Sequence, residues 1–170
     1  MKNNKWIVIF IIVLSFLYLN PAEAGKKSKP VEVYGGVPIP GVGIAIDASY
    51  DARLDNLAPG YRVLNVAIVN ESLNIIALDP TKDEWWIKVS GKQKKKKYKL
   101  ISDLRTEDAK AWNQIPEQVR KMISYPLALP IGGRQVIDLF VAEDVPVEEF
   151  TDLIVLLNSV GTTFIIKARQ

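Results

Sequence analysis

The sequence has no cysteine and no histidine. Without thiolate or imidazole it cannot assemble a Ser/His or Cys/His nucleophilic site, a zinc site of the usual ligands, or haem or iron–sulfur ligation through those side chains. Disulfides are excluded by the same absence. Glycine-rich phosphate loops are missing too. Gly41-Val42-Gly43 would need a further glycine where Ile46 stands, and Ser90-Gly91-Lys92 has no upstream glycine at the Walker spacing and continues with Gln93. No internal repeat is visible, and no cofactor signature is present.

What the chain does have is a globular composition: 170 residues, 48% hydrophobic and 24% charged, which argues against disorder or fibrous repeats over most of the length. Its first 24 residues differ from the rest. Lys2 and Lys5 precede an uncharged run from Trp6 to Leu19, and Asn20-Pro21-Ala22-Glu23-Ala24 ends it in small residues. This pattern predicts a secretory signal peptide over 1–24, cut after Ala24, and a product that is periplasmic or secreted. The run is too short to span a bilayer comfortably, since about 20 apolar residues are needed. No cysteine stands at the cut to carry a lipid, so the mature product is expected to have neither that kind of anchor nor a stable membrane span. Removing Lys2, Lys5 and Glu23 from 22 basic and 19 acidic residues leaves 20 and 18, a net charge of +2.

Residues 25–40 are rich in Gly, Pro and Lys and read as a flexible arm. From residue 41 to 170 the pattern is that of one β-sandwich domain. Val42, Ile44, Ile46, Ala48 and Tyr50 alternate with Gly43, Ala45, Asp47, Ser49 and Asp51, which gives a half-buried strand. A second strand follows Pro59-Gly60, with Leu64, Val66 and Ile68 on one face. Further strands are expected over Leu73–Leu78, Glu84–Val89, Tyr98–Ile101, Gln135–Val141, Leu153–Leu157 and Thr162–Ala168. Pro146 to Phe150 suggests one helical turn, and Asn158-Ser159-Val160-Gly161 the loop of a terminal hairpin. Helical signal is confined to about 102–124, where Asp103, Glu107, Asp108 and Pro116 suit helix starts, so one or two short helices are expected there. Trp112 and Met122 are expected to be core contacts of those helices. The fold class is mainly β: an antiparallel two-sheet sandwich of immunoglobulin-like kind.

The run from Pro59 to Asn70, the later Leu129-Pro130-Ile131-Gly132-Gly133 and the hydrophobic stretch Val136 to Val141 resemble the layout of small bacterial extracytoplasmic immunoglobulin-like domains of unknown function. The resemblance covers about residues 42–169. It implies a strand ending in Asn that leads into the sandwich and a Pro/Gly turn before a later core strand, but brings no site residue with it.

The least ordinary local feature is Lys92, Lys94, Lys95, Lys96, Lys97 and Lys99 around Tyr98. Subtracting these six from 20 basic residues leaves 14 against 18 acidic, so an acidic body carries one concentrated cationic loop. Such a loop is either a solubilising hairpin tip or a contact for an anion or partner, binding phosphates through counterion release. Trp86 and Tyr98 could add stacking if they reach the same face. Alternation places Trp85 and Trp86 on opposite faces, one in the core and one outside. The acidic residues give weaker patterns. Asp79 to Glu84 lacks the glycine and closing glutamate of a calcium loop, Asp47, Asp51 and Asp55 fall on a strand-like stretch, and Glu143-Asp144 and Glu148-Glu149 have no fixed separation. The expected function is therefore an exported, non-catalytic interaction or accessory module at the cell envelope, with an envelope protein or anionic polymer as partner. The alternative is a polyanion binder acting on envelope phosphates, anionic lipid or extracellular DNA through the Lys92–Lys99 loop. A carboxylate-based carbohydrate-active enzyme is the remote third reading.

Overall fold

In the computed structural model, residues 29–90, 96–123 and 125–168 are described; the expected signal peptide and Lys92, Lys94 and Lys95 of the cationic loop lie outside them. The described residues form a two-sheet β-sandwich with short helices. In chain order the elements are β1 (Val31–Tyr34), β2 (Ile44–Tyr50), β3 (Tyr61–Asn70), β4 (Ile76–Ala77), β5 (Glu84–Val89), β6 (Lys96–Lys99), α1 (Leu104–Glu107), α2 (Ala109–Gln114), α3 (Glu117–Arg120), β7 (Ala128–Leu129), β8 (Arg134–Ala142), β9 (Phe150–Leu157) and β10 (Thr162–Lys167). One sheet has the order β1-β10-β9-β5-β6, the second β2-β3-β8, and β4 pairs with β7 in a small third sheet. Every pairing is antiparallel except β1 with β10.

Period-two alternation explains the core. Ile44, Ile46, Leu64, Val66, Ile68, Ile137, Leu139 and Val141 project from the three-stranded sheet, and Trp85, Ile87, Val89, Leu153, Val155, Leu157, Phe164 and Ile166 from the five-stranded one; all are buried in a single cluster. Burying one such aliphatic side chain stabilises the fold by roughly 1.5–3 kcal/mol, so the two facing layers supply the dominant favourable contribution. A chain without disulfides has to rely on this packing. The three-stranded sheet also buries part of its back. Ala58, Val63 and Phe140 form a second cluster with Leu104 of α1 and Ile115 at the end of α2. Asp103 and Asp108 cap the two helices by accepting hydrogen bonds from Thr106 N and Ala111 N, the role that short acidic side chains fill at helix starts. Asp108 also accepts from Tyr61 Oη at 3.0 Å, tying α2 to β3, and these hydrogen bonds hold its carboxyl below the ordinary range.

Several details differ from the sequence reading. Val31–Tyr34, assigned by composition to a flexible arm, form β1, because Val31 and Val33 alternate inward onto the core. Beyond it, Gly36 N and Ile39 N donate to Ile46 O and Ile44 O, so residues 36–39 run along β2 and Ile39 is buried. The strand expected over Leu73–Leu78 shrinks to Ile76–Ala77, since Leu73 and Ile75 point to solvent. Three helices rather than one or two occupy the insertion, because Asp103, Asp108 and Pro116 each start a separate short turn. Trp112 packs on the second cluster, but Met122, expected there too, is 79% exposed just after α3 ends. The strand expected from Tyr98 to Ile101 begins earlier, at Lys96, and ends at Lys99. The helical turn at Val147–Glu149 and the β9–β10 hairpin fall where the sequence placed them.

Candidate functional site

Trp85 and Trp86 separate as the pleat requires. Trp85 is 1% exposed in the core, its indole Nε1 donating to Tyr125 Oη at 3.0 Å. Trp86 lies on the outer face of the five-stranded sheet, opposite Lys99 on β6 and Ile154 on β9. The ammonium of Lys97 sits over its indole ring, 3.8 Å from the centroid, an attraction worth about 0.5–1 kcal/mol at an exposed position. The same ladder places Lys88 directly opposite Lys97. Like charges facing each other across strands destabilise the pair, and the turn of Lys97 toward Trp86 moves its charge onto the aromatic face instead.

Beside the indole lies an open groove of about 540 Å³, lined by Pro30, Trp86, Ile154 and Leu156 with Lys29, Lys97 and Glu84 among the groups at its margin. Its floor is apolar because β9 is apolar on both faces: Leu153, Val155 and Leu157 face inward, while Ile154 and Leu156 face out. Ile154, opposite Trp86, is only 6% exposed. Across the sheet from this end, Lys167 is paired with Glu32 at 2.9 Å, which raises the lysine's pKa.

The structure sorts the predicted residues as follows. Trp86, Lys97 and Lys99 are brought together on one face. Tyr98 is not: it stands opposite Ile87, half-buried against the core on the reverse side of the sheet, so it cannot stack with Trp86 around one ligand. Lys96, opposite Val89, belongs to that reverse register too, although its side chain is exposed. Lys92, Lys94 and Lys95 fall outside the described residues. Lys29, Pro30, Ile154 and Leu156 were missed; the continuous apolar run Leu153–Leu157 was the available signal, since a one-sided strand would have alternated.

The acidic candidates are occupied with structure. Asp83 is buried and accepts from Asp79 N, Tyr125 Oη and Asn158 N. It thereby ties the turn before β5 to the β9–β10 hairpin. Burial and the neighbouring Asp83 push the Tyr125 hydroxyl well above its ordinary pKa, so it remains a donor. Asp79 accepts from Thr81 and pairs with Lys82, which lowers its pKa to about 2. Asp51 pairs with Arg53, Asp55 accepts from Tyr50 Oη, and Glu148 pairs with Arg62 at 2.6 Å. Among the described residues, no group of three or more Asp or Glu is arranged to hold a metal ion, and no helix is long and apolar enough to cross a membrane. Comparison with known proteins returned no matching family model, no matching curated protein and no matching solved structure.

Proposed function

We propose that this chain is an extracytoplasmic, non-catalytic binding module of immunoglobulin-like type, which holds an anionic polymer or acidic partner on the outer face of its five-stranded sheet. The observation that carries this reading is the cross-strand arrangement of Lys88, Lys97 and Lys99 around Trp86. Three lysines converge at the margin of an apolar groove, with Asp152 opposite Lys88 on its other side, and a bound anion would further offset the Lys88–Lys97 repulsion. The indole and the outward Ile154 and Leu156 give the ligand an apolar surface to rest on, while lysine ammoniums, as point charges without a fixed fork, favour broad over exacting recognition. In the sequence, Lys92, Lys94 and Lys95 stand between β5 and β6. A carboxylate-based enzyme has less support, because Asp83, Glu148, Asp79 and Asp51 each already serve a structural partner.

The test is a titration of a sulfated polysaccharide and of DNA against the protein at rising salt. The expected result is binding whose affinity falls log-linearly with salt, with a slope reporting several released ions. The Lys88→Gln/Lys97→Gln/Lys99→Gln variant should lose most of that slope, and Trp86→Ala should weaken binding at every salt concentration. No binding at low salt, or a slope unchanged in the triple variant, removes this reading.

A further inference from the structure

The edges of the two sheets are not protected alike. An edge strand presents unpaired N–H and C=O groups that template pairing with another chain, and folded proteins usually blunt it. β6 carries Lys96, Lys97 and Lys99, β2 is covered by residues 36–39, whose Gly36 N and Ile39 N donate to it, and β1 is short, with Glu32 among its 4 residues. β8 is the exception. Its 9 residues, Arg134–Ala142, include no proline and no lysine and keep an unbroken register against β3. The backbone groups of the strand divide by alternation. Gly133 O accepts from Asn70 N and Glu143 N donates to Gly60 O on the β3 side, whereas Phe140 exchanges both its hydrogen bonds with Ile101 on the other. Even-numbered residues of β8 therefore turn their N–H and C=O away from β3. Ile101 takes up those of Phe140, and those of Arg134, Val136 and Asp138 have no backbone partner among the described residues. Arg134 is exposed as well, and Val136 is 57% exposed.

We propose that this edge joins two copies of the chain, β8 to β8, antiparallel about a two-fold axis at Val136, so that one sheet of order β2-β3-β8-β8-β3-β2 runs through both. In that register the edge is complementary to itself. Val136 faces Val136 of the second copy, and Arg134 of each copy faces Asp138 of the other, which makes two opposite-charge cross-strand pairs. Residues whose N–H and C=O point toward each other in this way exchange both hydrogen bonds. The open stretch has the same centre, because the Gly132-Gly133 turn closes one end and Ile101, beside Phe140, closes the other, with Gly132 and Phe140 equally far from Val136. Sliding by two residues one way drives Arg134 of the second copy against Ile101, and sliding the other way sets Arg134 opposite Val136. The charges themselves lack partners within one copy. Asp138 is half-buried and accepts from Asn65 Nδ2 at 2.6 Å; burial raises its pKa, and among the described residues neither Asp138 nor Arg134 belongs to an ion pair. A second copy supplies both missing partners at once, whereas a foreign strand would need the same Arg-x-Val-x-Asp spacing. The contact is small, so the association is weak and concentration-dependent. This edge belongs to the three-stranded sheet and is separate from the Trp86 face.

Charge reversal tests the register and the occupant together. Full chains with Arg134→Asp or with Asp138→Arg set like charges at both facing positions, and each should self-associate about tenfold or more weakly than the parent in sedimentation over a concentration series. Mixed in equal amounts, the two variants face opposite charges again at both positions, and association should return to near the parent's level. Val136→Pro removes an outward N–H and no bond to β3, so it should keep a melting temperature close to the parent's while abolishing association. With no other cysteine in the chain, Val136→Cys adds a direct readout: mild oxidation should yield a disulfide-linked pair, and Ala142→Cys, on the same strand beyond Ile101, should not. Association through any other part of the chain is common to all these proteins and leaves the differences between them unchanged. A parent that stays monomeric at every concentration, variants that associate as the parent does, no recovery on mixing, or equal cross-linking at 136 and 142 overturns the proposal. So does a monomeric parent that takes up an extended peptide along β8, which would assign the edge to a foreign strand.

Discussion

Trp85 and Trp86 are adjacent in sequence and opposite in circumstance, and the two faces of the five-stranded sheet differ in the same way. On the inner face Trp85 is enclosed with Ile87, Val155 and Phe164, and its indole N–H has a specific acceptor in Tyr125. On the outer face the indole lies beside a groove, with a lysine ammonium over its ring and a like-charged pair across the strands. The inner arrangement is enclosed and satisfied, while the outer one gathers Lys88, Lys97 and Lys99 beside an open groove, with Trp86 under Lys97 and Asp152 opposite Lys88. Under the proposed function, stability and binding would fall to alternate residues of one strand.

That contrast is broken most directly by alanine at each tryptophan. Trp85→Ala is expected to cost about 3–5 kcal/mol, enough to unfold much of a marginally stable domain, whereas Trp86→Ala should cost less than about 1 kcal/mol; urea titrations of both distinguish the cases, and equal losses would show the faces to be energetically alike. A buried polar group extends the comparison. Asn70→Ala leaves the carbonyls of residues 74, 129 and 130 without their shared donor, and a loss of about 2–4 kcal/mol is expected by the same measurement. The outer face should respond far less. Lys88 stands between Lys97 on β6 and Asp152 on β9, so in Lys88→Glu a gained attraction to Lys97 is offset by a new repulsion from Asp152, each roughly 0.2–1 kcal/mol; a net stability change below about 0.5 kcal/mol is expected in the same titration, while polyanion binding should weaken. The smallest effect concerns Asp138, on the back of the three-stranded sheet, whose carboxylate accepts from Asn65 Nδ2 at 2.6 Å and whose pKa is raised above 3.8, chiefly by burial. A raised folded-state pKa makes the ionised form a small liability that appears as pH rises from about 3.8 through the folded value. Asp138→Asn should therefore raise the melting temperature slightly at pH 7, and that advantage should fade below about pH 4; an advantage that grew on acidification would contradict the assignment.

The parts of the fold legible in the sequence were those written in local alternation. Ile44 and Ile46 against Asp47 and Ser49, or Trp85 against Trp86, state their faces within a few residues. What could not be read depends on partners far away. Val31 and Val33 look like linker until Phe164 and Ile166 stand beside them. Leu73 and Ile75 have strand composition, yet the hydrogen bonds of Asn70 and Ser72 hold that segment as a loop. Of the candidate site, the lysines and Trp86 were legible from charge and alternation. The position of Tyr98 was not, because register decides its face and register was set by β5. Ile154 and Leu156 escaped notice because an apolar run on both faces conceals which side is floor and which is core. The Asn70 connection also joins two motifs that in sequence were only a likeness: the strand ending in Asn and the later Pro/Gly turn are bonded to each other.

The parallel pairing of β1 with β10 has a consequence for how the polypeptide matures. Because the first strand among the described residues lies alongside the last, Val31–Tyr34 have no ladder to join until Phe164–Lys167 exist. In a chain made amino end first, the edge formed by β1 can therefore close only after β10 has been made.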